Sequence, residues 1–365
     1  MAIDTSVRAS ILFLAAVALV TTLYVTRHIM TPFALAIFFW LIIDAFAQWL
    51  DGLSPKFPYW LALTVAMITV VIGITGVVLI VVDTAVDIKG QLGRYETRLA
   101  TLLDGVFAWL SDFTGRDDLT FSSLDEQFGL AQKLQAMLAG FVAALQSVLS
   151  SFALIALYVA FLFAAQSSFP KKMDDLFPDP VSRMQAGKVG ERIRSSIEKY
   201  ISVQTIISLM QTVISYIGMT ALGLDNALFW ALVIFILNYI PIVGGLAAVA
   251  LPCLYALVEF DSLGRVAVLA GVLFGAQTII GNTIQPKMMG DSMNLSALVV
   301  VLSLSLWAAL WGGVGAFLSA PLTVIIMIIL AQFPTTRWIA VLLSADGQPE
   351  MDADEKKKKQ AIPSM

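Results

Sequence analysis

The sequence is poor in the residues on which most enzymes and metal sites depend. Of 365 residues, one is cysteine, Cys253, and one is histidine, His28. One thiol excludes an internal disulfide and a thiolate cage, and one imidazole excludes a multi-histidine site. Charge is scarce as well: 13% of residues are charged, where about 25% is usual for soluble domains. A GxxxxGK[ST] loop is missing, so this chain is not expected to hydrolyse ATP. With no close carboxylate pair inside an apolar run and no histidine beside a nucleophile, an intramembrane enzyme is not expected either. No metal or cofactor is called for. The net charge of −4 and a sequence pI near 5.1 give no reason to expect nucleic acid, whose binding needs dense Lys and Arg contacts to phosphate.

What the chain has in abundance is apolar surface. The set AVILMFWYC makes up 59% of it, and its mean hydropathy is +0.86. A soluble globule of this length buries only about three quarters of its unfolded surface, which is too little for such a composition. The expectation is an all-α integral membrane protein embedded in lipid. Runs able to span a core of about 20 residues occur at roughly 9–27, 31–50, 58–82, 146–166, 201–222 and 264–284. Two further runs, 226–258 and 295–331, are over-long and interrupted by glycine and proline. Counted once each, they give about eight transmembrane helices. The first run follows a weak basic region and ends without a small-residue cleavage site, so it reads as a span and not as a cleaved signal.

The loops divide the chain further. N-terminal spans occupy 1–83, an extracytoplasmic amphipathic segment 84–144, a span 145–166 and a basic cytoplasmic segment 167–199. A C-terminal core with broken helices takes 200–334 and a tail 335–365. Segment 167–199 holds seven basic residues, the strongest positive-inside signal. Placing it in the cytoplasm puts both termini inside and 84–144 outside, where nine acidic residues from Asp83 to Glu126 face five basic ones through Lys133. Leu92, Leu99, Val106 and Leu110 recur there at helical spacing, which suits a surface helix or a neighbouring subunit. Asp179 before Pro180 reads as a helix N-cap, and Val189, Ile193, Ile197 and Ile201 carry one apolar face into the next span. The run Lys356 to Lys359, preceded by Asp352, Asp354 and Glu355, reads as a disordered tail.

Polar residues inside membrane helices are costly and therefore candidates for function. Tyr200, Gln204, Ser208, Gln211 and Ser215 fall on one helical stripe, suited to lining a wetted path or to bonding two helices together. Gln277, Asn282 and Gln285 form a second amide set, with Pro286 expected to end that helix in a loop where Lys287 and Asp291 pair. Asn238 opens the segment Asn238-Tyr-Ile-Pro-Ile-Val-Gly-Gly, whose Pro241, Gly244 and Gly245 interrupt a helix at membrane depth. Gly312, Gly313 and Pro321 repeat the theme. Paired broken segments of this kind point to a transporter gate and binding site, or to close packing through small residues. Asp44, Asp225 and Glu259 are the carboxylates available for proton or sodium coupling, and all three stand near helix ends.

The order Asn238-Tyr-Ile-Pro-Ile-Val-Gly-Gly, then Gln285-Pro-Lys-Met-Met-Gly-Asp-Ser-Met-Asn-Leu-Ser-Ala-Leu-Val-Val, then Gly312-Gly-Val-Gly-Ala-Phe-Leu-Ser-Ala-Pro321-Leu resembles the autoinducer-2 exporter family of bacterial permeases. The likeness extends over most of the chain. It implies eight spans, a bacterial inner-membrane location and a homo-oligomer, pentameric by the family's architecture. It also implies export of a small polar solute such as a furanosyl signal, or exchange of sodium or lithium for protons. The alternatives are a passive channel formed by an oligomer and a membrane scaffold that transports nothing.

Overall fold

A computed structural model describes residues 5–53, 58–114, 152–289 and 293–349, and these are almost entirely helical. Apolar runs with few breakers leave the helix as the structure that satisfies every backbone group in lipid. The elements are α1 (Thr5–Val25), α2 (Arg27–Leu53), α3 (Tyr59–Thr114), α4 (Phe152–Gln166), α5 (Phe169–Leu176) and α6 (Pro180–Ala221). They continue with α7 (Ala227–Leu237), α8 (Val243–Glu259), α9 (Leu263–Ile279), a π-turn over Ile280–Ile284, α10 (Gln285–Met289), α11 (Ala297–Ala331) and α12 (Arg337–Leu343). Among the described residues, five helices are long and apolar enough to cross a membrane: α2, the 59–84 part of α3, α6, α9 taken through α10, and α11. A sixth arises if α4 and α5, bent by 65° to each other, count as one.

Each of the two broken runs, counted once in the sequence, folds back on itself. In 226–258, the side chain of Asn226 donates to the Tyr255 hydroxyl at 3.3 Å, and the Trp230 and Tyr255 rings lie 5.2 Å apart. The start of α7 is therefore beside the end of α8, and the two form an antiparallel hairpin. Its turn contains Ile242 at φ 62°, ψ −62°, with Val243 N–H donating to the Pro241 carbonyl at 2.6 Å. This is the rarer, strained form of the γ-turn, here on a β-branched residue. In 295–331, Gly312 takes φ 64°, ψ −142°, a conformation that favours glycine. Trp307 Nε1 then donates to Thr323 Oγ1 at 3.2 Å, and Leu295 packs against the cluster of Met327, Ala331 and Ala340. A straight helix would hold Leu295 and Met327 about 48 Å apart at 1.5 Å per residue. Both over-long runs thus enter and return. Between α1 and α2 stands a single residue, Thr26, whose N–H reaches the Thr22 carbonyl at 2.8 Å while Met30 N–H reaches its own carbonyl at 2.9 Å. The runs 9–27 and 31–50, expected as separate spans, are thus joined end to end through one residue.

Direction alternates between the two hairpins. Gly218 on α6 lies where a Cβ would come within 2.8 Å of Val272 on α9, whereas Gln204, earlier on α6, meets Gln285, later on α9–α10. Hence α6 and α9–α10 run antiparallel. Each is followed by a hairpin, so 180–259 and 263–331 form two similar units of opposite orientation, the arrangement that recurs in secondary transporters.

The helix α6 extends unbroken from the basic segment into the core, capped by Asp179, whose carboxylate accepts from Ser182 N–H at 2.9 Å and from its hydroxyl at 2.8 Å. Those bonds hold the Asp179 carboxyl below its usual pKa, the backbone bond contributing most. The helix α3 likewise continues past residue 84 to Thr114 without a break. The remainder of the outer segment, Asp291 and the lysine-rich tail lie outside the described residues.

One core gathers α2, α3, α4, α6 and the second hairpin around Phe38, Tyr239 and Phe317. Another gathers the first hairpin, α9 and part of α3 around Trp230, Ile234 and Leu269.

Candidate functional site

Between these two units lies a cavity of about 670 Å³. One wall is α6, with Tyr200, Gln204, Ile207 and Gln211. A second is the turn of the first hairpin, with Asn238, Pro241 and Gly245. A third is α9 and its π-turn, with Gln277, Asn282 and Gln285. Six of the eight residues expected to line a path, Gln204, Gln211, Asn238, Gln277, Asn282 and Gln285, are brought together here. Ser208 and Ser215 are fully buried on the same stripe of α6 but outside the lining. The stripe continues to Gly218, and its small side chains let α6 and α9 approach closely.

The π-turn explains how the amides on α9 and beyond reach the cavity. Pro286 has no N–H and its ring crowds the carbonyl four residues earlier, which normally ends a helix. Here Gln285 N–H bonds back five residues to the Ile280 carbonyl, and the widened turn carries the helix past Pro286 to Met289. The expected loop is replaced by a bulge, a feature common at functional sites.

The walls are joined by hydrogen bonds. Gln204 Nε2 donates to the Asn238 carbonyl at 2.7 Å, Gln285 Nε2 to Gln204 Oε1 at 3.3 Å, and the Tyr200 hydroxyl to the Tyr239 carbonyl at 3.3 Å. Other polar atoms of the lining remain unused. Gln211 Oε1, Gln277 Oε1 and Asn238 Nδ2 are buried without a partner, each at a cost of about 1–3 kcal/mol. Two acceptors and one donor therefore stand ready for a bound molecule. Among the described residues the lining is uncharged.

The second broken segment plays a smaller part. Gly312 forms the turn of its hairpin, Gly313 faces open space and Pro321 is buried in the returning arm; of the lining residues only Val300 and Ala320 come from this hairpin. Gly244, beside Gly245, packs against the Leu237 carbonyl.

The three carboxylates stand apart from the cavity. Asp44 is fully buried and accepts from Tyr59 and Arg194 at 2.5 Å each and from Gln48 at 2.7 Å. Arg194 also bonds Glu198 at 2.7 Å. Glu259, at the end of α8, pairs with Arg94 on α3 at 3.1 Å, and the neighbouring Arg98 donates to the Phe260 and Asp261 carbonyls. Asp225 is exposed in the turn before α7.

Sequence reasoning missed the polar edge of the cavity at Asn294 and Ala345. Asn294 donates to Asp346 at 2.9 Å and to the Gln348 carbonyl at 3.1 Å, and Ala345 N–H returns a bond to the Asn294 carbonyl at 2.9 Å. Arg192 holds the Pro349 carbonyl at 2.7 Å. The short segment after α12 is thereby strapped across the end of the cavity on the side where α6 begins. The only sequence signal was Asn294 within the second family-like motif.

The sequence profile described as AI-2E family transporter matches residues 12–335. The chain is 31% identical over 319 residues to the AI-2 transport protein TqsA of Escherichia coli K12, covering 87% of this chain and 90% of that one. It is 29% identical over 213 residues to a sodium-lithium/proton antiporter of Halobacillus andaensis, covering 57% and 58% respectively.

Proposed function

Because this chain belongs to the AI-2E transporter family, we propose that it carries a small, uncharged, hydroxyl-rich solute through the cavity between α6, the first hairpin and α9. Membrane transport is the function of that family, and lipid is the protein's surroundings. The reading of the solute rests on one observation: seven amide side chains line the cavity while two acceptors and one donor remain unpartnered. Hydroxyl groups both donate and accept, so one polyhydroxylated molecule can satisfy all three. A carboxylate would face two acceptors, and a bare cation would leave the Asn238 donor idle. The name of the Escherichia coli relative suggests AI-2, the furanosyl signal, as the first solute to try, moved outward.

The face carrying Arg192, Asn294 and 344–349 is cytoplasmic by its basic residues, with the C-terminus on that side, in a bacterial inner membrane. Homo-oligomeric assembly, pentameric by family likeness, is part of the same proposal. Asp44 and Glu259 are bound to arginines, and Asp225 stands in solvent. These positions favour movement down the solute's own gradient over exchange of cations through this cavity. Proteoliposomes loaded with AI-2 or with neutral polyols test the reading. Efflux that persists without a pH or sodium gradient is expected; cation–proton exchange with no solute movement would overturn it.

A further inference from the structure

The turn of the first hairpin carries two adjacent glycines that the sequence cannot tell apart. A Cβ on Gly244 would overlap the Leu237 carbonyl oxygen and lie 3.2 Å from the Ile240 Cβ. Backbone cannot move aside there, so Gly244 is what lets the two arms close. The three atoms nearest a Cβ on Gly245 all belong to a side chain. Its neighbours would be the terminal amide atoms of Gln277, overlapping Nε2 and lying 3.1 Å from Cδ.

Gly281, one turn beyond Gln277 on the same helix, has the same neighbour, with Gln277 Nε2 at 3.1 Å from its would-be Cβ. The Gln277 amide therefore lies in a notch between a glycine of the hairpin and a glycine of the π-turn. Neither glycine is needed for its backbone conformation, since the positive-φ glycines are Gly223, Gly312 and Gly347. Space is what both provide. The amide so held keeps its Oε1 buried and without a donor.

We infer that Gly245 is a specificity-determining position that acts through Gln277. Lacking a side chain, it fixes the Gln277 amide with Oε1 presented to a hydroxyl of the solute, while its neighbour Gly244 serves the fold alone. Gly245 is a positioning residue and Gln277 the one that touches solute; the assignment rests on the transport reading above.

The test is a double-mutant cycle on efflux of ribitol from proteoliposomes, with erythritol and sorbitol in parallel. Gln277→Ala is expected to raise the half-saturating ribitol concentration roughly tenfold, the size of one hydrogen bond, with the maximal rate little changed. Gly245→Ala swings the amide and is expected to match that rise. The double variant is no worse than Gln277→Ala alone, because the effect runs through one side chain. Gly281→Ala approaches the notch from the other side and gives a smaller rise of the same kind, which keeps the test open if Gly245→Ala folds poorly. Gly244→Ala yields little folded protein. Additive losses, or wild-type kinetics in both Gly245→Ala and Gly281→Ala, would overturn the assignment while leaving transport intact. A wild-type protein that moves neither AI-2 nor any of the three polyols would overturn the solute reading and this assignment with it.

Discussion

Gln285 donates its side-chain amide to Gln204 Oε1 across 3.3 Å, joining residues 81 positions apart. Gln204 donates in turn to the Asn238 carbonyl, so one glutamine holds three walls of the cavity. Replacing it with leucine keeps most of the volume and leaves the Asn238 carbonyl unpaired. We expect Gln204→Leu to cost about 1–3 kcal/mol of stability, read as a lower melting temperature in detergent, together with a flux reduced by at least about tenfold. Unchanged melting and flux would show that the link is idle.

The hairpin of α7 and α8 makes a topological prediction. Asp225 and Asp261 bracket the run 226–258 and are both exposed. In a Cys253→Ser background, Asp225→Cys and Asp261→Cys are expected to react with an impermeant maleimide from the same side of the membrane, and Lys188→Cys from the other. Labelling of the first two from opposite sides would require a single crossing.

The second hairpin separates its glycines by packing. A Cβ on Gly315 would overlap the Trp307 carbonyl, whereas Gly313 faces open space. Gly315→Ala is therefore expected to destabilise by about 1–3 kcal/mol through overpacking. Gly313→Ala should be neutral or stabilising by up to about 1 kcal/mol, as glycine is a poor helix former. Thermal unfolding of the two variants side by side decides the matter.

In the proposed reading Asp44, held by Tyr59 and Arg194, serves as a structural ion and not as a coupling site. Asp44→Asn keeps the shape and leaves Arg194 without its most buried partner. A loss of about 2–4 kcal/mol is expected, below the range for fully buried pairs because Arg194 is 32% exposed. The pH profile of flux should keep its shape. Normal melting with a displaced pH profile would instead make Asp44 a proton carrier.

Much of this site could be read from sequence because polar groups in apolar runs are expensive. Gln204, Gln211, Asn238, Gln277, Asn282 and Gln285 stood out for that reason, and the structure gathers them round one cavity. The breaks at Pro241 and Gly312 were equally visible, but composition cannot say whether a break bends a span or folds it back. That is decided by backbone angles at Ile242 and Gly312 and by contacts such as Trp307 with Thr323. The helix past Pro286 was hidden because a π-turn has no sequence signature. The partner of Asp44 was hidden too, since Arg194 lies 150 residues away in a segment whose charges spoke only to orientation.

Transport through this cavity requires that its amides carry the solute. The most direct measurement is solute efflux from proteoliposomes containing a variant with Gln204, Gln211, Asn282 and Gln285 all replaced by alanine, compared with wild type at equal incorporation. Efflux is expected to fall to the level of empty liposomes while the protein still inserts in the membrane. Wild-type efflux from the fourfold variant would place the path elsewhere in the molecule.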